Sequence, residues 1–188
     1  MLVIYTLTSE EILSRDRRIE EMIAIMAQGD ISALGGLYEL IRTDVYAFAL
    51  SKLGRREDAE DITHDTFVRI WQNAPAYTPQ GKPMAWILTV ELNLIRRACQ
   101  LEGRTVEMES LAEQEDSENF VEDVIQNEFL RELMRALTPD EREVVVLHVV
   151  SGRKHREIAD LLACPLSTVL SRYNRAMKKM QVLVKEGK

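Results

Sequence analysis

Cysteine is scarce in this chain of 188 residues, and its placement argues against two classes of protein. Cys99 and Cys164 are the only cysteines, and the sequence contains no CxxC pair and no cluster of cysteine with histidine. Neither a disulfide framework nor a zinc site is therefore indicated. Reduced thiols fit a reducing compartment, so we expect a cytoplasmic protein with no metal and no cofactor.

Long apolar runs are also missing. The opening segment, MLVIYTLTSEE, has no basic region before its apolar stretch, which is too short for a signal peptide or a membrane span. We expect no membrane insertion. Beyond these first residues no stretch alternates between apolar and polar side chains as a strand does. The apolar spacing instead predicts an all-α protein, with helices over residues 15–27 and 31–53, one starting near 57, and one from Pro83 to Leu101.

Positive charge is in short supply and unevenly placed. The net charge is −7, with −3 in residues 1–101, −9 in residues 102–130 and +5 in residues 131–188. Proteins that bind DNA unaided are usually strongly basic, because neutralising phosphates supplies most of their non-specific affinity. We therefore expect this chain to bind DNA weakly unless a partner holds it there.

The basic carboxyl-terminal part carries a helix-turn-helix pattern. Ile158, Leu161 and Leu162 share one face of a first short helix, and Pro165 interrupts it. Ser167 then fits the N-cap of a second helix. The inward face of that helix is predicted to be Val169, Tyr173, Ala176, Met180 and Leu183. Such a second helix fits the major groove of DNA, although a helical hairpin with a merely solvated basic face is the other interpretation.

The outward face of this second helix carries the candidate DNA contacts. Arg172 and Arg175 lie three residues apart and are predicted to project from one exposed side. Hydroxyls and cations of this kind read base edges and phosphates. The candidates are Ser167, Thr168, Ser171, Arg172, Arg175, Lys178 and Lys179.

An acidic helix and a proline-containing loop mark the first half of the chain. The segment REDAEDITHDTFVRIWQNA is predicted to turn Ala59, Ile62, Thr66, Phe67 and Ile70 inward. Its early acids favour a helix N-terminus but exceed what capping needs, so they mark either a partner surface or a solvated face. The loop PAYTPQGKP follows. The next helix is predicted to bury Met84, Ile87, Val90, Leu94, Ala98 and Leu101.

Two helical domains are predicted, at residues 1–101 and 120–188, joined by an acidic linker at 102–119. The second domain is predicted to open with a helix over 120–137. A capping box at Thr138-Pro139-Asp140-Glu141 then starts a helix that runs through Val149.

Several motifs together resemble the bacterial sigma factors of RNA polymerase, specifically the extracytoplasmic-function (ECF) type within the sigma-70 family. They are GD at 29–30, LY at 37–38, DAEDITHDTFVRIW at 58–71, Trp86, Asn93, LTPDEREVVVLH at 137–148, EIADLL at 157–162 and CPLSTVLSRYNRA at 164–176. The resemblance covers roughly residues 20–183.

The resemblance implies a subunit that binds core RNA polymerase and selects promoters. The first domain would be similar to sigma region 2 and bind the β′ clamp helices through Asp58, Glu60, Asp61, Asp65, Phe67, Arg69 and Trp71. The loop and the helix after it would open and read the minus-ten element, with Asn93 near a flipped base. The residues implied there are Lys82, Trp86, Asn93, Arg96 and Arg97.

The second domain would be similar to region 4, contact the β flap and read the minus-thirty-five element. The candidates on the second helix would serve there, with Arg153 and Lys154 close to phosphates. The acidic linker would thread the polymerase's interior channels. An anti-sigma protein is implied as a further partner.

Some positions depart from the family pattern. Glu91, Leu92 and Arg97 replace residues that the family favours, and Glu91 is expected to place a negative charge close to the path of DNA. A sigma-like protein that binds polymerase but melts promoters poorly is therefore an alternative. Leu170 replaces a usual lysine, and either contacts a thymine methyl group or packs internally.

The sequence also bears on two other classes of function. A dimeric helix-turn-helix repressor or activator would bind DNA tightly without polymerase. An enzyme is disfavoured, because His64, His148 and His155 are scattered along the sequence and Cys164 lies in an apolar turn.

Overall fold

The first four helices form one packed layer in the computed structural model, which describes residues 9–101 and 134–186. They are α1 (Ser9–Ala27), α2 (Ser32–Leu53), α3 (Arg56–Asn73) and α4 (Pro83–Leu101), with a short 3₁₀ turn at Ala74–Ala76 after α3. Neither described range contains a strand, which confirms the all-α prediction. The predicted linker at 102–119 and most of the helix predicted at 120–137 lie outside these ranges.

Local sequence signals set the ends of these helices. The Asp30 carboxylate accepts a hydrogen bond from the Ser32 amide at 2.9 Å, and hydrogen bonding by the Ser32 hydroxyl and amide lowers the pKa of Asp30. Gly54 ends α2 with φ of +71°, a left-handed conformation that glycine adopts without strain. Pro83 is the first residue of α4, where its missing N–H costs nothing. Helix α1 begins six residues before the predicted start at Arg15.

The core of this layer comes from one face of each helix. Burying a Val, Leu, Ile, Phe or Met side chain in this way stabilises the fold by about 1.5–3 kcal/mol. The fully or almost fully buried side chains include Ile19, Ile23, Met26, Leu37, Ile41, Val45, Phe48, Ala59, Phe67, Ile70, Met84 and Ile87. Those of α3, namely Ala59, Phe67 and Ile70, match the inward face predicted for that helix.

Helix α4 is rotated relative to its predicted orientation. Val90, Leu94 and Ala98 are only half-buried, whereas the buried positions are taken by Leu88, Glu91, Leu92, Ile95 and Cys99. Helix α4 is apolar on more than one side, so its own periodicity does not choose a face. Packing against α2 and α3 makes that choice.

The carboxyl-terminal helices are α5 (Pro139–Val145), α6 (His155–Leu162) and α7 (Leu166–Glu186). The predicted capping box is confirmed: the Thr138 amide donates to Glu141 Oε2 at 3.0 Å, and the Glu141 amide donates to Thr138 Oγ1 at 3.4 Å. The helix predicted to continue through Val149 instead changes at Val146–Val150 into a π-helical turn. There the Ser151 amide donates to the Val146 carbonyl.

Helices α6 and α7 form the predicted helix-turn-helix. Ile158 and Leu162 of α6 are buried, as are Val169 and Ala176 of α7. The predicted N-cap at Ser167 is wrong. Helix α7 already starts at Leu166, because the Pro165 carbonyl accepts from the amides of Thr168 and Val169, and this leaves Ser167 exposed in the first turn.

The carboxyl-terminal helices pack directly on the first layer. Helix α2 contacts α5 and the π-helical turn, and α4 contacts α6. Three ion pairs cross this contact, which we call the seam: Lys52–Glu143 at 2.5 Å, Asp16–Arg153 at 3.3 Å and Lys82–Glu157 at 3.5 Å. Across residues 9–101 and 134–186, the helices all fall short of the length and apolar character that crossing a membrane requires.

Candidate functional site

One side of α7 faces solvent along several turns. Between Leu166 and Lys179 the exposed residues recur at steps of three and four and are Ser167, Leu170, Ser171, Asn174, Arg175 and Lys178. We call this set the α7 open face. Leu170 is 40% exposed, so it is not a core residue and the interpretation that it contacts a partner is favoured. Asn174 was not predicted, although its spacing from Ser171 places it on the same side.

The cations of α7 divide into two groups. Arg172 has a side chain only 15% exposed and forms an ion pair with Asp140 at the start of α5. Lys179 Nζ lies 2.7 Å from Glu141 Oε2, and Arg175 Nε lies 3.7 Å from Glu141 Oε1. The Arg175 side chain is nevertheless 61% exposed. The expectation that Arg172 and Arg175 are equivalent exposed side chains is therefore wrong for Arg172, because the first turn of α5 supplies an acid beside it.

Glu141 organises this corner of the molecule. Burial acts to raise its pKa, but the hydrogen bonds from Lys179 and from the Thr138 amide outweigh burial and lower it. The same carboxylate thus completes the capping box of α5 and holds α7 in place. Its ion pair covers part of Lys179, which the sequence placed among the DNA contacts.

Arg153 lies at the seam instead of at the surface. It is 3% exposed, pairs with Asp16 of α1 and donates from Nε to the Ser151 carbonyl at 2.8 Å. Its predicted place beside DNA phosphates is not available in this conformation. Gly152, with φ of +66°, turns the chain so that Arg153 points back toward α1. Lys154 is exposed, as its predicted role requires.

Two histidines that the sequence separates meet in the fold. The rings of His148 and His155 stack at 4.3 Å, and both meet the edge or face of Tyr173 within 5 Å. The description of the histidines as scattered is therefore wrong for this pair and holds for His64 on α3. Burial and the neighbouring His148 lower the pKa of His155. Within residues 9–101 and 134–186, no group of three or more His, Cys, Asp or Glu side chains forms a metal site.

A half-open surface cavity of about 250 Å³ lies between α3 and α4, and Arg69, Asn93 and Arg97 on its rim are exposed. Its lining combines two guanidinium groups and two amides with apolar carbon, from Arg69, Asn73, Val90, Asn93, Leu94 and Arg97. Asn93 and Arg97 were predicted near the minus-ten element. Arg69 was assigned to polymerase instead, and Asn73 was missed. Polar groups on an apolar wall suit a planar, hydrogen-bonding ligand such as an unstacked base.

The loop beside this helix pair is fixed by Glu20 of α1. Glu20 Oε1 accepts from the Tyr77 hydroxyl at 3.0 Å and from the Gly81 amide at 2.9 Å. Burial and the bond to Glu20 raise the pKa of Tyr77, and its ring lies 4.8 Å from that of Trp86. Trp86 and Arg96 are half-buried, and Lys82 remains exposed at the end of the loop. Sequence alone gave no signal for the role of Glu20.

Glu91 is turned away from the surface. Its side chain is fully buried, and neither carboxyl oxygen has a hydrogen-bond partner. Burial raises its pKa well above the ordinary value; the Ala49 backbone opposes this shift without making a hydrogen bond of good geometry, and nearby Asp44 adds to it. Leu92 is 6% exposed. The expectation that Glu91 places a charge beside DNA is therefore wrong, and the rotation of α4 is the cause.

The acids of α3 have different environments. Asp61 and Asp65 are exposed, with His64 between them and Val68 one turn beyond at 39% exposure. We call these four residues the α3 open face. Asp58 has a side chain 24% exposed and lies 3.5 Å from Arg55, and Glu60 lies 3.3 Å from Arg56.

The two aromatic residues predicted to bind polymerase are less accessible. Phe67 is 4% exposed and packs against Tyr38 at 4.8 Å, so it is a core residue and not a polymerase contact. Trp71 is half-buried. The inward position of Phe67 was already indicated by its helical spacing.

Two family models match the chain: Sigma-70 region 2 over residues 37–105, and Sigma-70 region 4 over residues 129–180. Among curated proteins, the ECF RNA polymerase sigma factor EcfG of Rhodopseudomonas palustris is 30% identical over 140 residues, which cover 73% of this chain and 77% of EcfG. The ECF sigma factor SigE of Mycolicibacterium smegmatis is 31% identical over 166 residues, covering 82% of this chain. The chain spans 64% of the length of SigE.

Two solved structures share the fold. The sigma factor RpoE of Bartonella quintana, in complex with the anti-sigma factor NepR, aligns with a TM-score of 0.58 at 22% identity. That alignment covers 82% of this chain and 98% of RpoE. CnrH in complex with the cytosolic domain of CnrY aligns with a TM-score of 0.59 at 24% identity, covering 91% of this chain and 99% of CnrH.

Proposed function

Because this chain belongs to the ECF sigma factors of bacterial RNA polymerase, we propose that it is a promoter-specificity subunit that binds core polymerase and directs initiation at particular promoters. One observation carries the proposal: a single chain combines the α7 open face with the polar cavity between α3 and α4. Its action is binding without chemistry of its own, and we place it in the cytoplasm with the polymerase.

Polymerase attachment is assigned to the α3 open face. Asp61 and Asp65 lie beyond the first turn of α3, so helix capping does not account for them. Exposed acids around an exposed valine form a surface suited to a basic helical partner, as the β′ clamp helices are expected to be. The second domain is assigned the contact to the β flap.

The minus-thirty-five element is assigned to the α7 open face. A helix in the major groove reads bases through side chains near its N-terminal end, where Ser167, Leu170 and Ser171 lie. Arg175 supplies the more exposed guanidinium and Lys178 a phosphate contact. Leu170 is placed to touch a thymine methyl group.

The minus-ten element is assigned to the cavity between α3 and α4. An unstacked base would find the Asn93 amide and the Asn73 side-chain oxygen for its edges, while Asn73 Nδ2 donates to the Arg69 carbonyl at 2.9 Å, and the two arginines lie near for phosphates. Holding the base offsets an unstacking cost of a few kcal/mol, so strand opening needs neither a nucleophile nor a metal. The burial of Glu91 and Leu92 removes the reason for expecting poor melting, so we favour a full sigma factor over a sigma-like regulator.

An anti-sigma protein is proposed as the further partner. The RpoE and CnrH structures each hold the sigma factor with such a protein or with the cytosolic domain of CnrY. By analogy, we expect a partner that covers one or both of the surfaces assigned above.

Reconstitution with core polymerase and run-off transcription on genomic DNA tests the proposal. Asn93→Ala and Arg175→Ala are each expected to reduce transcription from the promoter. If the lost side chain contacts a base, the loss should cost about 1–3 kcal/mol and remove the sequence preference at one position of the corresponding element. Arg156→Ala, an exposed cation on α6 outside both surfaces, is the matched control. Failure to bind core polymerase, combined with a nanomolar complex of the isolated chain on duplex DNA, would instead identify a helix-turn-helix regulator.

A further inference from the structure

A single glutamate on α1 binds the loop between the 3₁₀ turn and α4 at two points. The Tyr77 hydroxyl and the Gly81 amide both donate to Glu20 Oε1, at 3.0 and 2.9 Å. The two donors follow Glu20 by 57 and 61 residues in the sequence, so both bonds are tertiary contacts. We call Glu20, Tyr77 and Gly81 the loop anchor. One carboxylate oxygen thus holds two separate points of the loop against α1.

The loop depends on this anchor because its own backbone contributes little. Residues 78–82 are all exposed. As far as the structure describes the chain, backbone-to-backbone hydrogen bonds occur only at the two ends of the loop. They run from the Tyr77 amide to the Ala74 carbonyl at 3.1 Å and from the Trp86 amide to the Lys82 carbonyl at 3.4 Å. The bonds to Glu20 therefore determine where the exposed part of the loop lies.

The loop anchor also restricts the side chain of Trp86. The Tyr77 and Trp86 rings lie 4.8 Å apart and are tilted by 51°, a favourable arrangement for two aromatic rings. Burial and the bond to Glu20 raise the pKa of Tyr77, and the Gln80 backbone opposes the rise only in part. The Tyr77 hydroxyl therefore keeps its proton at neutral pH and remains a donor to Glu20. With its hydroxyl bonded and its ring packed, Tyr77 holds one side of the Trp86 indole in place.

An ordered loop is an advantage at one step of the proposed function. Lys82 and Trp86 are among the residues assigned to the minus-ten element. Ordering a mobile segment during binding costs conformational entropy, and a segment that is already ordered avoids this cost. Capture of an unstacked base is the step that uses this loop, whereas polymerase attachment and the minus-thirty-five element are assigned to the α3 and α7 open faces. Loss of the anchor should therefore slow promoter opening specifically.

We propose that Glu20 is a positioning residue for promoter opening, which holds the loop and Trp86 in the arrangement that receives the minus-ten element. Glu20 acts through Tyr77 and Gly81 and makes no contact with DNA, since its negative charge would be repelled by phosphates. The inference rests on the proposed function, because the step that it assists is capture of a minus-ten base.

Hydrogen exchange of the Gly81 amide in the free, full-length chain tests the anchor. Glu20→Ala removes the acceptor, so exchange of this amide by NMR is expected to become about tenfold faster. Glu20→Gln retains a side-chain oxygen that can accept both bonds and should restore most of the protection. Glu21→Ala is the matched control, since it removes the neighbouring exposed glutamate of the same helix. Equal exchange rates in the wild type and Glu20→Ala would overturn the anchor.

Promoter opening by reconstituted polymerase tests the positioning role. The promoter is one recovered by run-off transcription on genomic DNA, with 2-aminopurine in its minus-ten element to report unstacking. Glu20→Ala is expected to open this duplex about tenfold more slowly than the wild type, and Tyr77→Phe, which loses one of the two bonds, about threefold more slowly. Glu20→Gln and Glu21→Ala should remain close to the wild type.

Two further measurements separate positioning from a general loss of structure. Affinity for core polymerase should be the same in all five proteins. On a template already unpaired over the minus-ten element, all five should initiate at rates within about twofold of one another, because the opening step is bypassed. Equal opening of the duplex by the wild type, Glu20→Ala and Tyr77→Phe would overturn the positioning role, and so would equal slowing on both templates. A wild type that fails to bind core polymerase would instead contradict the proposed function, while the exchange result would stand.

Discussion

Glu91 is a carboxyl group placed among the apolar side chains of the first layer. Both of its oxygens lack a hydrogen-bond partner, and burial raises its pKa well above the ordinary value near 4.5. A buried polar group without a partner destabilises a fold by about 1–3 kcal/mol. Glu91 therefore destabilises the folded state least while it is protonated, and its cost grows as pH rises and the carboxyl group ionises.

The first prediction concerns this cost. Glu91→Met keeps the volume and removes the carboxyl group, so at neutral pH the variant should be more stable than the wild type by about 1–3 kcal/mol. The folded-state pKa is raised, so the stability from the protonated group is complete below pH 4.5 and is lost as pH rises through the folded value. The gap between the two proteins should therefore close on acidification.

Urea unfolding at a series of pH values measures this gap. Glu39→Met, which replaces an exposed glutamate on α2, is the control and should shift stability by less than about 0.5 kcal/mol. A variant less stable than the wild type at neutral pH would show that Glu91 has a compensating partner.

The second prediction separates two neighbouring arginines. Arg172 is largely covered and paired with Asp140, whereas Arg175 is mostly exposed. Arg172→Ala leaves a half-covered acid without its cation and should cost about 1–2 kcal/mol. Arg175→Ala should cost less than about 0.5 kcal/mol. Thermal unfolding gives both values, and the Asp140→Ala/Arg172→Ala double-mutant cycle isolates the pair. Equal destabilisation by the two single changes would contradict the burial of Arg172.

At the scale of the helix, α3 shows how one element divides its faces between core and surface. Its inward residues were predicted correctly, because Ala59, Ile62 and Ile70 follow a helical period. The α3 open face occupies the opposite side.

The third prediction follows from this division. Asp61→Lys/Asp65→Lys should weaken binding to core polymerase at least tenfold while leaving unfolding unchanged within about 0.5 kcal/mol. Phe67→Ala should instead destabilise the fold by about 3–5 kcal/mol, because it leaves a cavity in the core. Surface plasmon resonance with immobilised core polymerase, alongside thermal unfolding, measures both effects. Wild-type affinity in the aspartate variant would mean that these acids are simply solvated.

Helix α4 marks the limit of prediction from sequence. Its residues are apolar on several sides, so the sequence does not determine which face is buried. The prediction placed Val90 and Leu94 inside, whereas the structure buries the neighbouring face. For the same reason Glu91 was predicted to lie on the surface, whereas it is buried. By contrast, the capping box at Thr138 and the end of α2 at Gly54 depend on neighbouring residues alone, and both were predicted correctly.

In the candidate site, too, features set by neighbouring residues were predictable and contacts between distant segments were not. Residues on the α7 open face were largely predictable, because one helix determines their spacing. Contacts between distant segments were not: Arg172 with Asp140, Arg153 with Asp16, and His148 with His155 all depend on tertiary packing. Long-range pairing of this kind leaves no periodic trace in the sequence.

At the scale of the whole molecule, the charge distribution governs its relation to DNA. The chain carries −7 overall, and residues 102–130 alone carry −9. Attraction to phosphates is therefore confined to local surfaces and is opposed by the rest of the chain.

The fourth prediction is that the free chain binds duplex promoter DNA weakly at physiological salt, with a dissociation constant in the micromolar range or above. Specific binding should appear only with core polymerase. Fluorescence anisotropy with a labelled promoter fragment, with and without core polymerase, measures the difference. A nanomolar complex of the free chain would contradict this expectation and the assignment of a polymerase-dependent role.

The π-helical turn at Val146–Val150 sets the direction in which the residues after it approach the seam. A π turn holds one more residue than an α-helical turn, so the chain beyond it is rotated by about 100° from the direction that a continuous α-helix would give. Ser151, beside Asp44 of α2, and Arg153, paired with Asp16 of α1, reach the first layer from this rotated position. Loss of a single residue from the turn would swing both away while leaving the composition of the helix-turn-helix untouched. The number of residues in this one turn therefore determines whether Ser151 and Arg153 face α1 and α2.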